Sequence, residues 1–358
     1  MSRTAKKEPV PSAKKLFIPR RNTCLDFVRK VQALQVSLGH LRMNSFTLSK
    51  AGVRSGEAVL IVGAPATGKS EYLYYVAAQH LCSGGSVLYM ACPGSPSLKV
   101  RRFMCILEVE YSLQLLQKHG ELPSHAASGN ATYDTAVALA GGQEALHEHL
   151  LSLSANMTIT EFTCFEEMES FWRSPPEKWL SCCAEVAQRV HRVAPLAILD
   201  GLHSGGYIPM QERLRGKSLQ LSQLLRFALD NWNCALFVAE TTFHHSAEAR
   251  PTATTSDPET VVKCSHTFIH SLGQDSPDAS LPLFRYFLCF RAHPSTAANQ
   301  PNRAQPTQLT NKPATLSCCL IVPDGYVERS RSAKPAMNLQ TKVGVPFAVT
   351  GEGVKFLA

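Results

Sequence analysis

Gly63-Ala64-Pro65-Ala66-Thr67-Gly68-Lys69-Ser70 is the stretch from which the fold can be read. It fits the pattern Gly-x4-Gly-Lys-[Ser/Thr] without a mismatch. Before it, Glu57 to Val62 is a short apolar run rich in β-branched residues, as a strand buried on both faces requires. After it, Leu73, Val76, Ala77 and Leu81 recur at helical spacing. A strand, a glycine loop and a helix in that order let backbone N–H groups and a helix N-terminus surround a polyphosphate. Lys69 then adds a point charge, and Ser70 a hydroxyl for Mg²⁺.

Outward from this loop, Ser83-Gly84-Gly85 marks a turn and Ser86 to Cys92 reads as a second strand. Leu98 to Tyr111 has helical periodicity, whereas about 121–149 drifts to Gly, Ala, Ser and His, has no clear pattern at its start and is expected to be an insertion. Met157 to Phe162 alternates as a strand does, and Phe165 to Trp172 and Trp179 to Arg192 read as helices. Leu196-Ala197-Ile198-Leu199-Asp200 is a buried strand ending in an acid. That is how a P-loop protein brings a carboxylate to the Mg²⁺ shell, so Asp200 is the candidate metal carboxylate beside Ser70. Leu221 to Trp232 makes an amphipathic helix, and Cys234 to Ala239 a further buried strand ending at Glu240. Strands are also expected at Leu283 to Phe290, Leu316 to Val322 and Phe347 to Thr350. Strands alternating with helices and then a run of strands predict an α/β fold, a mostly parallel sheet with an antiparallel C-terminal extension.

On the N-terminal side, Cys24, Leu25, Val28, Val31, Leu34 and Leu38 predict an amphipathic helix. Ahead of it, Arg3, Lys6, Lys7, Lys14, Lys15, Arg20 and Arg21 stand against one acid, Glu8. Residues 1–22 are therefore expected to be a disordered basic arm, which would also suit a nuclear import signal or a loose DNA tether. The remaining divisions are an N-terminal helix and linker at 23–50, a P-loop core at 51–290, a flexible loop at 291–314 and C-terminal strands at 315–358.

The net charge of +8 is compatible with a nucleic-acid partner. No apolar run approaches the roughly 20 residues that cross a bilayer, and the first residues lack the apolar core of a secretion signal, so no membrane is expected. The twelve cysteines form no C-x-x-C pair, which points to reduced intracellular thiols rather than a disulfide framework or a zinc site.

Gly56 to Tyr74, with Val87-Leu88-Tyr89, Leu196 to Leu202 and Ala235 to Ala239, resembles the ATPase core of the RecA/Rad recombinases. The resemblance is strongest to the paralogues that assist recombinational repair, and Lys69 to Tyr74 with Phe347 to Phe356 point to their X-ray-repair cross-complementing branch. It covers roughly 50–111, 155–290 and the tail. It implies a RecA-like P-loop core, ATP with Mg²⁺ as ligands, other RecA/Rad paralogues as partners, single-stranded or branched DNA reached through their complex, and a place in the nucleus.

The nucleotide would be held by Gly63, Ala64, Pro65, Ala66, Thr67, Gly68, Lys69, Ser70 and Asp200. DNA would meet two loops, one holding Tyr207, Arg213, Arg215 and Lys217, the other Arg250. At the position of the family's water-polarising glutamate this chain has Pro93, and the glutamine that senses the terminal phosphate falls near Thr241. ATP binding with very slow or absent hydrolysis follows, because rapid cleavage also needs a placed water. Glu240 and Glu71 are the alternative bases, each expected to be a surface or structural carboxylate. A second resemblance, to the small ATPase partner of a SWIM-domain recombination protein, stays open. So do a P-loop kinase or NTPase for a small molecule and an adaptor with a vestigial site.

Overall fold

The computed structural model describes residues 35–93, 95, 97–121, 129–188, 193–202, 218–241, 283–292, 316–324 and 338–357. Strand β1 (Gln35–Val36) pairs antiparallel with β2 (Val53–Arg54), and the short helix α1 (Leu41–Ser45) lies between them in sequence. The expected helix through Leu34 and Leu38 therefore gives way to a strand at its C-terminal end; its earlier part lies outside the described residues. Val36 and Leu38 are buried and Ser37 between them is exposed. That is the two-residue period of a strand, hidden in a segment whose longer apolar spacing also suits a helix.

The P-loop strand is β3 (Ala58–Gly63), buried throughout, and the helix behind the loop is α2 (Lys69–Cys82). Next come β4 (Val87–Ala91) and α3 (Val100–Lys118). The expected insertion, about 121–149, forms α4 (Gly129–Ala140) and the first half of α5 (Gln143–Ser154). Their buried face is narrow, Ala136 on one and Leu146 and Leu150 on the other, too sparse to register as a periodic stripe.

The chain continues through β5 (Met157–Glu161), α6 (Phe165–Arg173), α7 (Glu177–Gln188), β6 (Leu196–Leu202), α8 (Ser218–Asn231) and β7 (Ala235–Thr241). It ends in β8 (Tyr286–Ala292), β9 (Leu316–Asp324), β10 (Asn338–Thr350) and β11 (Gly353–Phe356). Strand β10 starts earlier than the expected Phe347: Val343, Val345 and Phe347 alternate with Lys342, Gly344 and Pro346, and the ladder to β9 continues back to Asn338 past an irregularity at Lys342.

Among the described residues these strands form a nine-stranded sheet in the order β11-β10-β9-β8-β3-β7-β6-β4-β5. From β8 to β5 every neighbouring pair is parallel; β8 to β11 are joined antiparallel. The expected mixed α/β architecture is thus present. Alternate strand residues feed two cores. Val59, Ile61, Tyr89, Ile198, Phe237 and Leu288 pack on the α2 and α3 side, with Leu316 and Phe347 from the antiparallel strands. Leu60, Val62, Met90, Leu199, Val238 and Phe287 pack under α6, α7 and α8. The P-loop strand lies in the middle of the sheet, and β7 separates it from β6, which carries Asp200.

Candidate nucleotide site

The loop between β3 and α2 is wound by its own residues. Ala66 takes φ +60° and Gly68 φ +86°, the left-handed region, which turns successive peptides about the helix start. A Cβ on Gly68 would lie 3.1 Å from Leu316 Cδ1 and 3.2 Å from Phe347 Cε2, so the antiparallel strands press against the loop from behind. Thr67 Oγ1 donates to the Ala64 carbonyl at 2.9 Å. Lys69 Nζ donates to the carbonyls of Gly63 at 2.9 Å and Ala64 at 2.8 Å. Ala64, Pro65 and Ala66 stay exposed at the mouth of the loop, while Thr67 and Lys69 are buried.

Asp200 stands in β6 and is 4% exposed. The register of β6 against β7 shifts between Leu199 and Leu202, and Gly201 within that shift has φ +81°. Such a bulge bends a strand locally and re-aims the side chain beside it. Asp200 accepts a hydrogen bond from the Tyr89 hydroxyl at 2.5 Å, and the Ser70 side chain, the Lys69 charge and the backbone of Gly201 all act on its carboxylate. The two residues assigned to Mg²⁺ from sequence, Ser70 and Asp200, are therefore brought together.

The electrostatics fit a charged ligand. Burial lowers Lys69 to about 8, against the attraction of Asp200 and Glu240. Burial likewise raises Asp200, against the bonds from Tyr89 and Ser70 and the charge of Lys69. Desolvation disfavours both charges in the free site. A polyphosphate beside Lys69 and a divalent cation beside Asp200 would supply the missing counter-charges, so the residues present fit ATP and Mg²⁺. When bound, the metal would neutralise phosphate charge.

Of the alternative bases, Glu71 bonds Arg102 Nε at 2.8 Å, and Arg102 also donates to the carbonyls of Thr350 and Gly351. Glu71 is thus a structural carboxylate. Glu240 is not at the surface: it is 2% exposed, at the carboxyl end of the strand between Lys69 and Asp200, and within electrostatic reach of Lys69. Pro93 follows β4 in a turn whose Cys92 N–H donates to the Asp200 carbonyl at 2.9 Å. Arg213, Arg215, Lys217, Arg250 and Tyr207 lie outside the described residues, as do the basic arm and most of the loop at 291–314.

Sequence reading missed Tyr89 and underrated Glu240. Both come from strands adjacent to the site in space and distant in sequence. The signal for Tyr89 was available in principle, since a tyrosine inside a buried strand needs a partner for its hydroxyl.

Every cysteine among the described residues is free, and no group of three or more His, Cys, Asp or Glu among them is placed to hold a metal. No helix among the described residues is long and apolar enough to cross a membrane.

No family model matches this chain, and no curated protein does. Among solved structures, the crystal structure of the RadB recombinase is similar at a TM-score of 0.43 and 15% sequence identity, over 90% of this chain and 100% of that one.

Proposed function

We propose that this chain binds ATP with Mg²⁺ and works as a RecA/Rad-type recombinase paralogue. It hydrolyses the nucleotide very slowly or not at all, and supports repair of DNA double-strand breaks by homologous recombination. The observation that carries the nucleotide reading is the buried pair at the carboxyl edge of the sheet: Lys69 folded into the loop carbonyls, and Asp200 held by Tyr89 within reach of Ser70 and Lys69. Slow hydrolysis follows from the turn after β4, where Pro93 offers no acid, base or donor. ATP then acts as a ligand that stabilises the folded loop. The repair role rests on the resemblance of the core motifs and C-terminal strands to the RecA/Rad paralogues. DNA contact through Arg213, Arg215, Lys217 and Arg250, partnership with other paralogues, and a nuclear location belong to the same proposal.

The test is nucleotide binding by the full chain and by Lys69→Ala. Removing the ammonium is expected to weaken ATP at least tenfold, as losing a charge-assisted bond of about 1.5–3 kcal/mol requires. Equal affinity in the two proteins sinks the nucleotide reading, and rapid ATP turnover by the parent sinks the claim of slow hydrolysis. Capture from nuclear extract is expected to recover RecA/Rad paralogues; recovery of none would reject the partnership.

A further inference from the structure

Tyr89 is absent from the motif that defines the site, yet its hydroxyl makes the 2.5 Å bond to Asp200 Oδ2. The side chain is wholly buried. It projects from β4, where Tyr89 is opposite Ile198 and Ala91 is opposite Asp200, so phenol and carboxylate share one face of the sheet. Tyr74, from the P-loop helix, packs its ring 5.9 Å from that of Tyr89, and the two hydroxyls interact. The Tyr74 hydroxyl in turn accepts the Lys99 N–H at 3.2 Å, just ahead of α3. Asp200 is thus gripped from behind by a phenol that is itself wedged between the P-loop helix and the start of α3.

A carboxylate that takes a metal through one oxygen is held in place by whatever bonds the other, and such partners govern affinity by 10- to 100-fold. We infer that Tyr89 is a positioning residue for the divalent cation: it fixes Asp200 so that the remaining oxygen meets the metal beside Ser70. The inference rests on the nucleotide reading above and deepens it. The phenol neither touches phosphate nor replaces Lys69, so its effect is confined to the metal-dependent part of binding.

The experiment measures ATP affinity of the full chain with excess chelator, and Mn²⁺ affinity of the ATP complex by electron paramagnetic resonance, for the parent and for Tyr89→Phe. The variant is expected to bind metal-free ATP within about twofold of the parent and Mn²⁺ about tenfold or more weakly, the low end of the range for such partners. A residue serving only to pack the core would weaken both together or neither, and either result overturns the inference. If the parent binds no ATP at all, the nucleotide reading falls and the inference with it. If the parent binds MnATP and Tyr89→Phe matches it in both measurements, only the inference falls. Should Tyr89→Phe not fold, 3-fluorotyrosine at position 89 keeps the hydroxyl and reports directly. Its fluorine resonance is expected to move when Mg²⁺ joins the ATP complex, and an unmoved resonance overturns the inference.

Discussion

Gly201 bends the chain directly after Asp200, the candidate metal carboxylate. Its φ of +81° lies in the region that side-chain-bearing residues enter at a cost, and it falls within the register shift of β6 beside Asp200. Replacing it with alanine either strains that backbone or flattens the bulge. Gly201→Ala is expected to lower unfolding stability by about 1–2 kcal/mol, read from denaturant midpoints at constant slope. If the bulge flattens instead, Asp200 turns away from Ser70 and the Mg²⁺ dependence of ATP binding is lost while stability holds. An unchanged midpoint together with unchanged Mg²⁺ dependence would show that the glycine is incidental. Glu240 makes the complementary point. A carboxylate ending a strand reads as a surface turn in one dimension, and becomes a buried neighbour of Lys69 once β7 lies between the P-loop strand and β6.

At the scale of elements, the helices on one side of the sheet meet through an aromatic cluster. Trp172 of α6 stacks on Trp232 at 4.9 Å between ring centroids, and Trp179 of α7 meets the same ring edge-on at 6.2 Å. All three indoles are fully buried. Trp232 joins α6, α7 and the end of α8, so Trp232→Ala is expected to cost about 3–5 kcal/mol in chemical unfolding. Trp172→Phe is expected to cost less than about 1.5 kcal/mol, because the buried Trp172 Nε1 has no hydrogen-bond partner to lose. Equal losses in the two variants would contradict this division. These elements were largely legible beforehand. Strands such as Ala58–Gly63 and Ala235–Thr241 are buried on both faces and announce themselves as apolar β-branched runs. The loop was legible because chemistry fixes its spacing, and Asp200 because an apolar run leads into it, although β6 does not end at the acid as expected but continues to Leu202. The strand at Gln35–Val36 and helices α4 and α5 were not, since two residues or a few small apolar side chains carry too little periodicity. The clamp of Arg102 on Glu71 and the carbonyls of the β10–β11 turn joins residues far apart in sequence, which no local pattern encodes.

Over the whole molecule, buried His80 on the P-loop helix and half-buried Glu110 on α3 pull stability in opposite directions as pH changes. His80 is 4% exposed, its Nε2 has no hydrogen-bond partner, and burial lowers it to about 4 from 6.5. Between pH 4 and 6.5 the unfolded chain therefore binds the extra proton, and the stability present above pH 6.5 is lost as pH falls through that window. Glu110 lines a cleft of about 620 Å³ with Tyr75, Gln79, Gln114 and Phe356, and burial raises it to about 7 from 4.5 although Gln79 Nε2 donates to it at 3.1 Å. Here the folded chain holds the extra proton between pH 4.5 and 7, so stability present below pH 4.5 is lost as pH rises through about 7. The two windows overlap, and from about pH 4.5 to 6.5 these contributions offset each other. Glu110→Gln keeps the size and the amide-compatible bonding while removing the titration. The variant is expected to match the parent near pH 4.5 and to exceed it by about 1–2 kcal/mol at pH 7.5, below the full shift because the side chain is half-buried and opens on the cleft. Its stability should then rise more steeply with pH between 4.5 and 6.5 than the parent's, because the opposing Glu110 contribution is gone while that of His80 remains. Denaturant unfolding of both proteins across pH 4 to 8 measures this directly. A gain of the same size at every pH would mean that Gln improves packing alone, and no gain at pH 7.5 would mean that the Glu110 carboxylate is already solvated by the cleft.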